Sequence, residues 1–336
     1  MNDDNAKRGA MDEGIIRSRE WRPLSAALSL LLAAMCATLT ACAAREGTEE
    51  PSPIQQRQSV KAVDWKAVAR AMGVPGTMQP GGVFKFSLPR RDLRVTVGGL
   101  PIKPALALGS WVAFKQIGNE TMALGDLVLT QDEVSPVMMK LQQGGIEQTA
   151  LHNHLLNESP RVMYMHIRGR GDPVKMAQAI RAALALTKTP FPTPAGRAQP
   201  QKLGIDTKQL DHIIGRSGKW SSGVYKFGIP RAEKIMVGGM DVPPAMGVAT
   251  SLNFQPTGGG NAAITGDFVL RASEVNPVIR ALQGYGIAVT ALHSHMLTEE
   301  PRLFFMHFWA IGDATELARG LRAALDRTNA VMSRAK

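Results

Sequence analysis

The stretch Thr149-Ala150-Leu151-His152-Asn153-His154 is written a second time as Thr290-Ala291-Leu292-His293-Ser294-His295. Working outward from it, Gly125-Asp126 recurs as Gly266-Asp267 and Glu133-Val134 as Glu274-Val275. Gly82-Val83-Phe84-Lys85-Phe86 recurs as Gly223-Val224-Tyr225-Lys226-Phe227, and Pro89-Arg90 as Pro230-Arg231. Val97-Gly98-Gly99 recurs as Val237-Gly238-Gly239. Two copies at so long a period mean a duplicated domain rather than a solenoid. The expected organisation is one repeat over 63–190, a Pro-rich linker over 191–205 and a second repeat over 206–336.

Each copy reads alike. Copy one predicts a helix over 64–73, capped by Asp64 and ended by Gly73. Alternating runs over 83–88, 93–97 and 126–130 predict strands. A helix over 133–144 carries Val134, Val137, Met138 and Leu141 on one face. A strand pair over 146–156 and 161–168 surrounds a short loop, and a helix opened by Asp172 and Pro173 closes the copy. The expected fold class is α+β: two tandem copies of a mixed or antiparallel sheet with packed helices.

Six of the seven histidines occupy matching places. Residues two apart on a strand share a face, so His152 and His154 lie side by side. If the next strand returns antiparallel, His166 falls opposite His152 and Tyr164 opposite His154. Copy two repeats this with His293, His295 and His307, with Phe305 in place of Tyr164. Three imidazoles on adjacent strands are a donor set for a divalent metal, zinc or copper. Water, Glu158, Glu299 or a substrate would take the fourth position. The geometry is similar to the three-His zinc sites of carbonic anhydrases and to the H-x-H of cupins, with no other likeness to either. The competing reading is a set of histidines satisfied by hydrogen bonds on a sheet face, with no metal.

Tyr164 and Glu158 are the candidate catalytic groups, and the hydroxyl lost at Phe305 makes copy one the expected active half. Arg161 and Arg302, each after a proline, either hold an anionic ligand or pair with a neighbouring carboxylate. Gly125-Asp126 and Gly266-Asp267 read as turns before a strand in preference to acid–base groups, and Gly98-Gly99 as a turn or bulge. Gly258-Gly259-Gly260 reads as a loop tip, Met163, Met165 and Met306 as core, and His212 has no assigned role.

The amino terminus reads as an address. Arg17, Arg19 and Arg22 precede an apolar run over 24–39 that is short for a membrane span. Leu39-Thr40-Ala41-Cys42 resembles a bacterial lipobox. This predicts a lipoprotein signal peptide over 1–41, lipidation of Cys42 and a flexible tether over 42–62. Cys36 would leave with the signal, which excludes a disulfide and thiol catalysis. The expected place is the cell envelope, and Ala43 points to the outer membrane if the host is Gram-negative.

Hydrophobic residues at 44% and charged residues at 20% exclude a disordered or collagen-like chain. The net charge of +11 lies outside the leader, which holds five residues of each sign. It suits a small anionic ligand. A nucleic-acid partner is not expected of an exported, lipid-anchored protein.

Lipobox, duplication and the pattern A-L-H-[NS]-H…E-x-P-R…M-H together resemble the LppY/LpqO-type bacterial lipoprotein family. That family is defined by a domain of unknown function, so the resemblance implies export and anchoring but no reaction. The expected function is an envelope protein binding a divalent metal through a three-His site on a β-hairpin. The alternative is a non-enzymatic module that binds an anionic ligand without metal. The sequence assigns neither an enzyme activity nor an oligomeric state.

Overall fold

The computed structural model describes residues 60–191 and 204–332. The leader, Cys42, nearly all of the tether and the linker residues 192–203 lie outside the described residues.

Copy one runs α1 (Trp65–Met72), β1 (Thr77–Gln79), β2 (Val83–Pro89), β3 (Thr96–Val97), β4 (Leu100–Pro101), α2 (Pro104–Ala107) and β5 (Gly109–Ile117). It continues with β6 (Glu120–Thr130), α3 (Gln131–Gln143), β7 (Glu147–His152), β8 (Glu158–Ser159), β9 (Val162–Gly171) and α4 (Pro173–Leu184). Copy two repeats the order: α5 (Thr207–Ile214), β10 (Lys219–Ser221), β11 (Val224–Pro230), β12 (Met236–Val237) and β13 (Met240–Asp241). A 3-10 turn, Pro244–Met246, replaces α2. There follow β14 (Ala249–Gly258), β15 (Asn261–Leu270), α6 (Ala272–Gln283), β16 (Ala288–His293), β17 (Glu299–Glu300), β18 (Phe304–Asp313) and α7 (Ala314–Leu325).

Copy one forms a six-stranded sheet in the order β1-β2-β5-β6-β9-β7 and a small sheet β4-β3-β8; copy two matches both. Every pairing is antiparallel, so the α+β expectation holds with antiparallel sheets. Local chemistry explains the element ends. Asp64 accepts from the backbone N–H of Lys66 and Ala67, and Gly73 ends α1 in the left-handed region. Asp172 caps α4 in the same way. Gly98 and Gly99, both at positive φ, form the two-residue turn between β3 and β4.

Strand alternation gives each large sheet two apolar faces. In copy one, Phe84, Phe86, Val112, Phe114, Leu127, Leu129, Met165 and Ile167 face the helices. There they bury Val68 and Met72 of α1, Val137 and Leu141 of α3, and Ile180 and Leu184 of α4. The opposite face is covered by the other copy. Val83, Ala113, Met122 and Leu124 share a core with Val237, Met246, Leu303 and Phe305. In return, Val97, Leu108, Val162 and Tyr164 pack with Val224, Ala263 and Trp309.

Matched hydrogen bonds fix this docking. Thr149 Oγ1 donates to the His295 carbonyl at 2.6 Å, and Thr290 Oγ1 to the His154 carbonyl at 2.5 Å. Each bond is the other's image under exchange of the copies, the mark of an isologous interface. Lys115 adds an ion pair across it to Asp241 at 2.6 Å. The copies therefore form one unit with shared cores, not two domains that merely touch.

The repeated Pro-Arg and Glu-Val pairs also find their reason here. Arg90 is fully buried, and its guanidinium bonds Asp92, Glu133 and the Val128 carbonyl. Arg231 does the same with Glu233, Glu274 and the Val269 carbonyl.

Candidate functional site

β7 and β9 position the histidines of copy one. Thr149 is bulged out between Gln148 and Ala150, which places Ala150 opposite His166 and His152 opposite Tyr164. The expected register was His166 opposite His152, so it is corrected by two residues. An even shift keeps the face, and His152, Tyr164 and His166 still point the same way. His154 follows the end of β7, and its ring lies over Tyr164 at 3.3 Å between centroids. Copy two has the same bulge, with His295 stacked on Phe305 at 3.5 Å.

The two triads, expected as separate sites, meet at the junction of the copies. His152 stacks on His293 at 3.5 Å, His154 on His307 at 3.8 Å, and His166 on His295 at 3.7 Å. The last two pairs exchange under the pseudo-twofold, and the first lies on it. His152, His293, His295 and His307 each offer one ring nitrogen, and these four atoms lie within 4.8 Å of one another. This group, three residues of copy two and one of copy one, can hold a metal ion.

The donor set fits a metal on two counts. His307 Nδ1 bonds the Gly266 carbonyl at 2.8 Å, and His152 Nδ1 bonds the Asn153 carbonyl at 3.1 Å. A backbone partner on one ring nitrogen orients the other toward a metal. In both residues that other atom, Nε2, is buried and has no hydrogen-bond partner among the described residues. Burial is also the main cause that lowers every imidazole pKa here, followed for most by the neighbouring rings. His152 falls to about 4 and His307 to about 3. The imidazoles are thus neutral at pH 7, the form that binds metal.

Two carboxylates for which sequence reasoning preferred a turn role over an acid–base role complete the floor. Asp126 and Asp267 do not sit in turns before a strand, as expected. They lie inside β6 and β15, opposite His166 and His307. Asp126 Oδ2 is 3.9 Å from His154 Nε2, and its Oδ1 is 3.9 Å from His166 Nε2. Asp267 Oδ2 is 3.6 Å from His295 Nε2. Burial pushes Asp126 up to about 8, and burial with the Asp126 charge pushes Asp267 up as well. The preceding glycine has a steric cause: a Cβ at Gly266 would lie 1.9 Å from the Ser251 carbonyl oxygen. The signal was present in each copy as an acid in a largely apolar strand, at a position of the same parity as that copy's site histidines: even for Asp126, odd for Asp267.

The floor opens into a cleft of about 1400 Å³ lined by both copies. Asp126, His154, His166, Asp267, His295 and His307 form part of its wall. The other expected site residues fall elsewhere. Tyr164 is buried and donates to the Ala107 carbonyl at 3.0 Å. Glu158 and Glu299 are buried on β8 and β17, in the small sheets. Glu299 accepts from the Leu303 N–H and pairs with Arg302. Arg302 also donates to Ser294 Oγ at 2.9 Å, while Arg161 is exposed. Neither arginine lines the cleft.

A family model described as Domain of Unknown Function (DUF1259) matches residues 66–186 and again 208–327. Among solved structures, the chain is similar to the trimeric bacterial microcompartment shell protein PduB. The identity is 14% over 75% of this chain and 89% of that one, with a TM-score of 0.18. It is also similar to the ethanolamine utilization protein EutL from Leptotrichia buccalis C-1013-b, at 8% identity over 61% of this chain and 80% of that one, with a TM-score of 0.16. At these scores neither likeness bears on function. No curated protein matches the chain.

Proposed function

We propose a function for this chain, which belongs to the family described as Domain of Unknown Function (DUF1259), from its own site. It is a cell-envelope protein, anchored by lipid at Cys42, that binds one divalent metal ion, zinc or copper, at the junction of its two copies. His152, His293, His295 and His307 would hold the ion. The observation that carries the reading is the convergence within 4.8 Å of four ring nitrogens, from three buried histidines and the half-buried His293. All-imidazole donors suit zinc and copper better than magnesium or calcium. When bound, such an ion supplies a Lewis acid that lowers the pKa of coordinated water.

The protein's own groups have distinct parts. The Gly266 and Asn153 carbonyls orient two of the imidazoles. Asp126 and Asp267, held largely protonated by burial, sit where a proton can be given up as positive charge arrives. The anchoring half of the reading rests on Leu39-Thr40-Ala41-Cys42 and its resemblance to LppY/LpqO-type lipoproteins. No helix among the described residues is long and apolar enough to cross a membrane.

Zinc titration against a competing chelator tests the metal. The expected result is one ion per chain, with affinity weakened in His293→Ala by more than the roughly 10- to 100-fold that loss of a ligand's hydrogen-bond partner costs. Binding unchanged in that variant would overturn the reading. Mass spectrometry of full-length protein expressed in a bacterium tests the anchor, which predicts diacylglycerol on Cys42 and none in Cys42→Ser.

A further inference from the structure

The walls above the histidine floor differ sharply from it in charge. Lys85, Arg91, Arg94, Lys103, Arg216, Lys219 and Lys226 line the cleft, against two carboxylates, Asp126 and Asp267. Among the described residues, none of these seven cations forms an ion pair. Elsewhere in the molecule Arg90, Arg231, Lys115, Arg170 and Arg322 all do. Lys85 and Lys226 are equivalents in the two copies, both half-buried at the cleft wall. Each feels desolvation; at Lys85 the Asp126 carboxylate offsets part of this and Lys226 adds to it. Two half-buried ammonium groups with no carboxylate in ion-pair contact among the described residues are poised for a ligand bringing negative charge. Lys85 is held in place by the Ala245 carbonyl at 2.8 Å and by the Trp111 ring at 4.1 Å.

We propose that the cleft binds a small polyanion, a phosphorylated or polycarboxylate metabolite, with one anionic group between Lys85 and Lys226. The proposal rests on taking this cleft as the working site, as the proposed function does, but not on the metal. The remaining cations meet the rest of the ligand, and a cleft this size accommodates a molecule of metabolite dimensions. The ligand's anionic end then faces the imidazole floor.

Trp111 supplies the readout. Tryptophan fluorescence, with a Trp111→Phe control to identify the share of this one of the five tryptophans, is followed in the metal-free, full-length protein during titration with inorganic pyrophosphate and, separately, with tricarballylate, at low salt. At least one probe is expected to bind, and affinity should fall as sodium chloride rises. Lys85→Met/Lys226→Met should weaken binding at least about tenfold, a charge-assisted hydrogen bond's worth. Its zinc stoichiometry should stay that of the parent. Arg94→Ser/Lys219→Ser changes two exposed rim cations and keeps the test informative if the buried pair does not fold; it should weaken binding about threefold. Pyrophosphate binding alone names phosphorylated ligands, and tricarballylate binding alone names polycarboxylates. No binding of either, binding indifferent to both double variants, or binding of an oligonucleotide only would overturn the proposal. Zinc binding without anion binding sinks this proposal and spares the metal reading; the reverse pattern does the opposite.

Discussion

Replacing Glu133 by Gln removes one charge from a buried network and almost no volume. Glu133 accepts from Arg90 Nη1 at 2.6 Å and Nη2 at 3.1 Å, from the Thr130 N–H at 2.9 Å and from the Lys188 N–H at 3.1 Å. One carboxylate thus closes the start of α3, pins the chain after α4 and neutralises a wholly buried guanidinium. Breaking a buried pair by removing one partner costs about 3–5 kcal/mol. Asp92 keeps its two-pronged contact with Arg90, so the loss belongs at the lower end, about 3 kcal/mol. For a unit of this size that is roughly 6–12 °C in Tm. Urea and thermal unfolding of metal-free Glu133→Gln measure it. A loss under about 1 kcal/mol would refute the argument that this network, rather than apolar packing alone, holds α3 and α4 to the sheet. Glu274→Gln in copy two is expected to behave alike.

Metal-free protein is expected to be most stable near pH 6.5. The six imidazoles have folded pKa values below the unfolded value of about 6.5, so the unfolded chain binds more protons in acid and stability drops below that pH. Asp126 and Asp267 are raised, so the folded chain holds their protons and stability declines as pH climbs from about 4 toward 8. Each group contributes up to about 1.4 kcal/mol per pH unit; the histidines outnumber the acids below pH 6.5, and above it the two acids outweigh the opposing effect of Lys85, whose pKa is lowered to about 8. Urea midpoints at pH 5, 6.5 and 8 check this, and a steady rise across the range would contradict it. Asp126→Asn should flatten the upper limb. Thr149→Val and Thr290→Val each leave a carbonyl of the docking interface unpaired and should cost about 1–3 kcal/mol by urea unfolding. Equal stability of variant and parent would remove these bonds from the account.

The duplication, the strand and helix types and the shared face of the histidines were legible because they follow from local periodicity and from even spacing. The register was not, because one bulged residue, Thr149, changes which residues oppose each other without any mark in the sequence. Gly125-Asp126 looked like a turn because Gly and Asp favour turns. In fact, Gly lets two strands approach closely and Asp faces the site. The convergence of both triads depends on how the copies dock. That is set by contacts such as Met246 and Phe305 against Ala113 and Leu124, which no single copy contains.

A zinc-soaked crystal read by anomalous scattering tests the composite site most directly. The account predicts one peak per chain, within bonding distance of His152, His293, His295 and His307. Two peaks, one in each of the triads His152–His154–His166 and His293–His295–His307, would contradict it, as would a peak without His152 as a ligand.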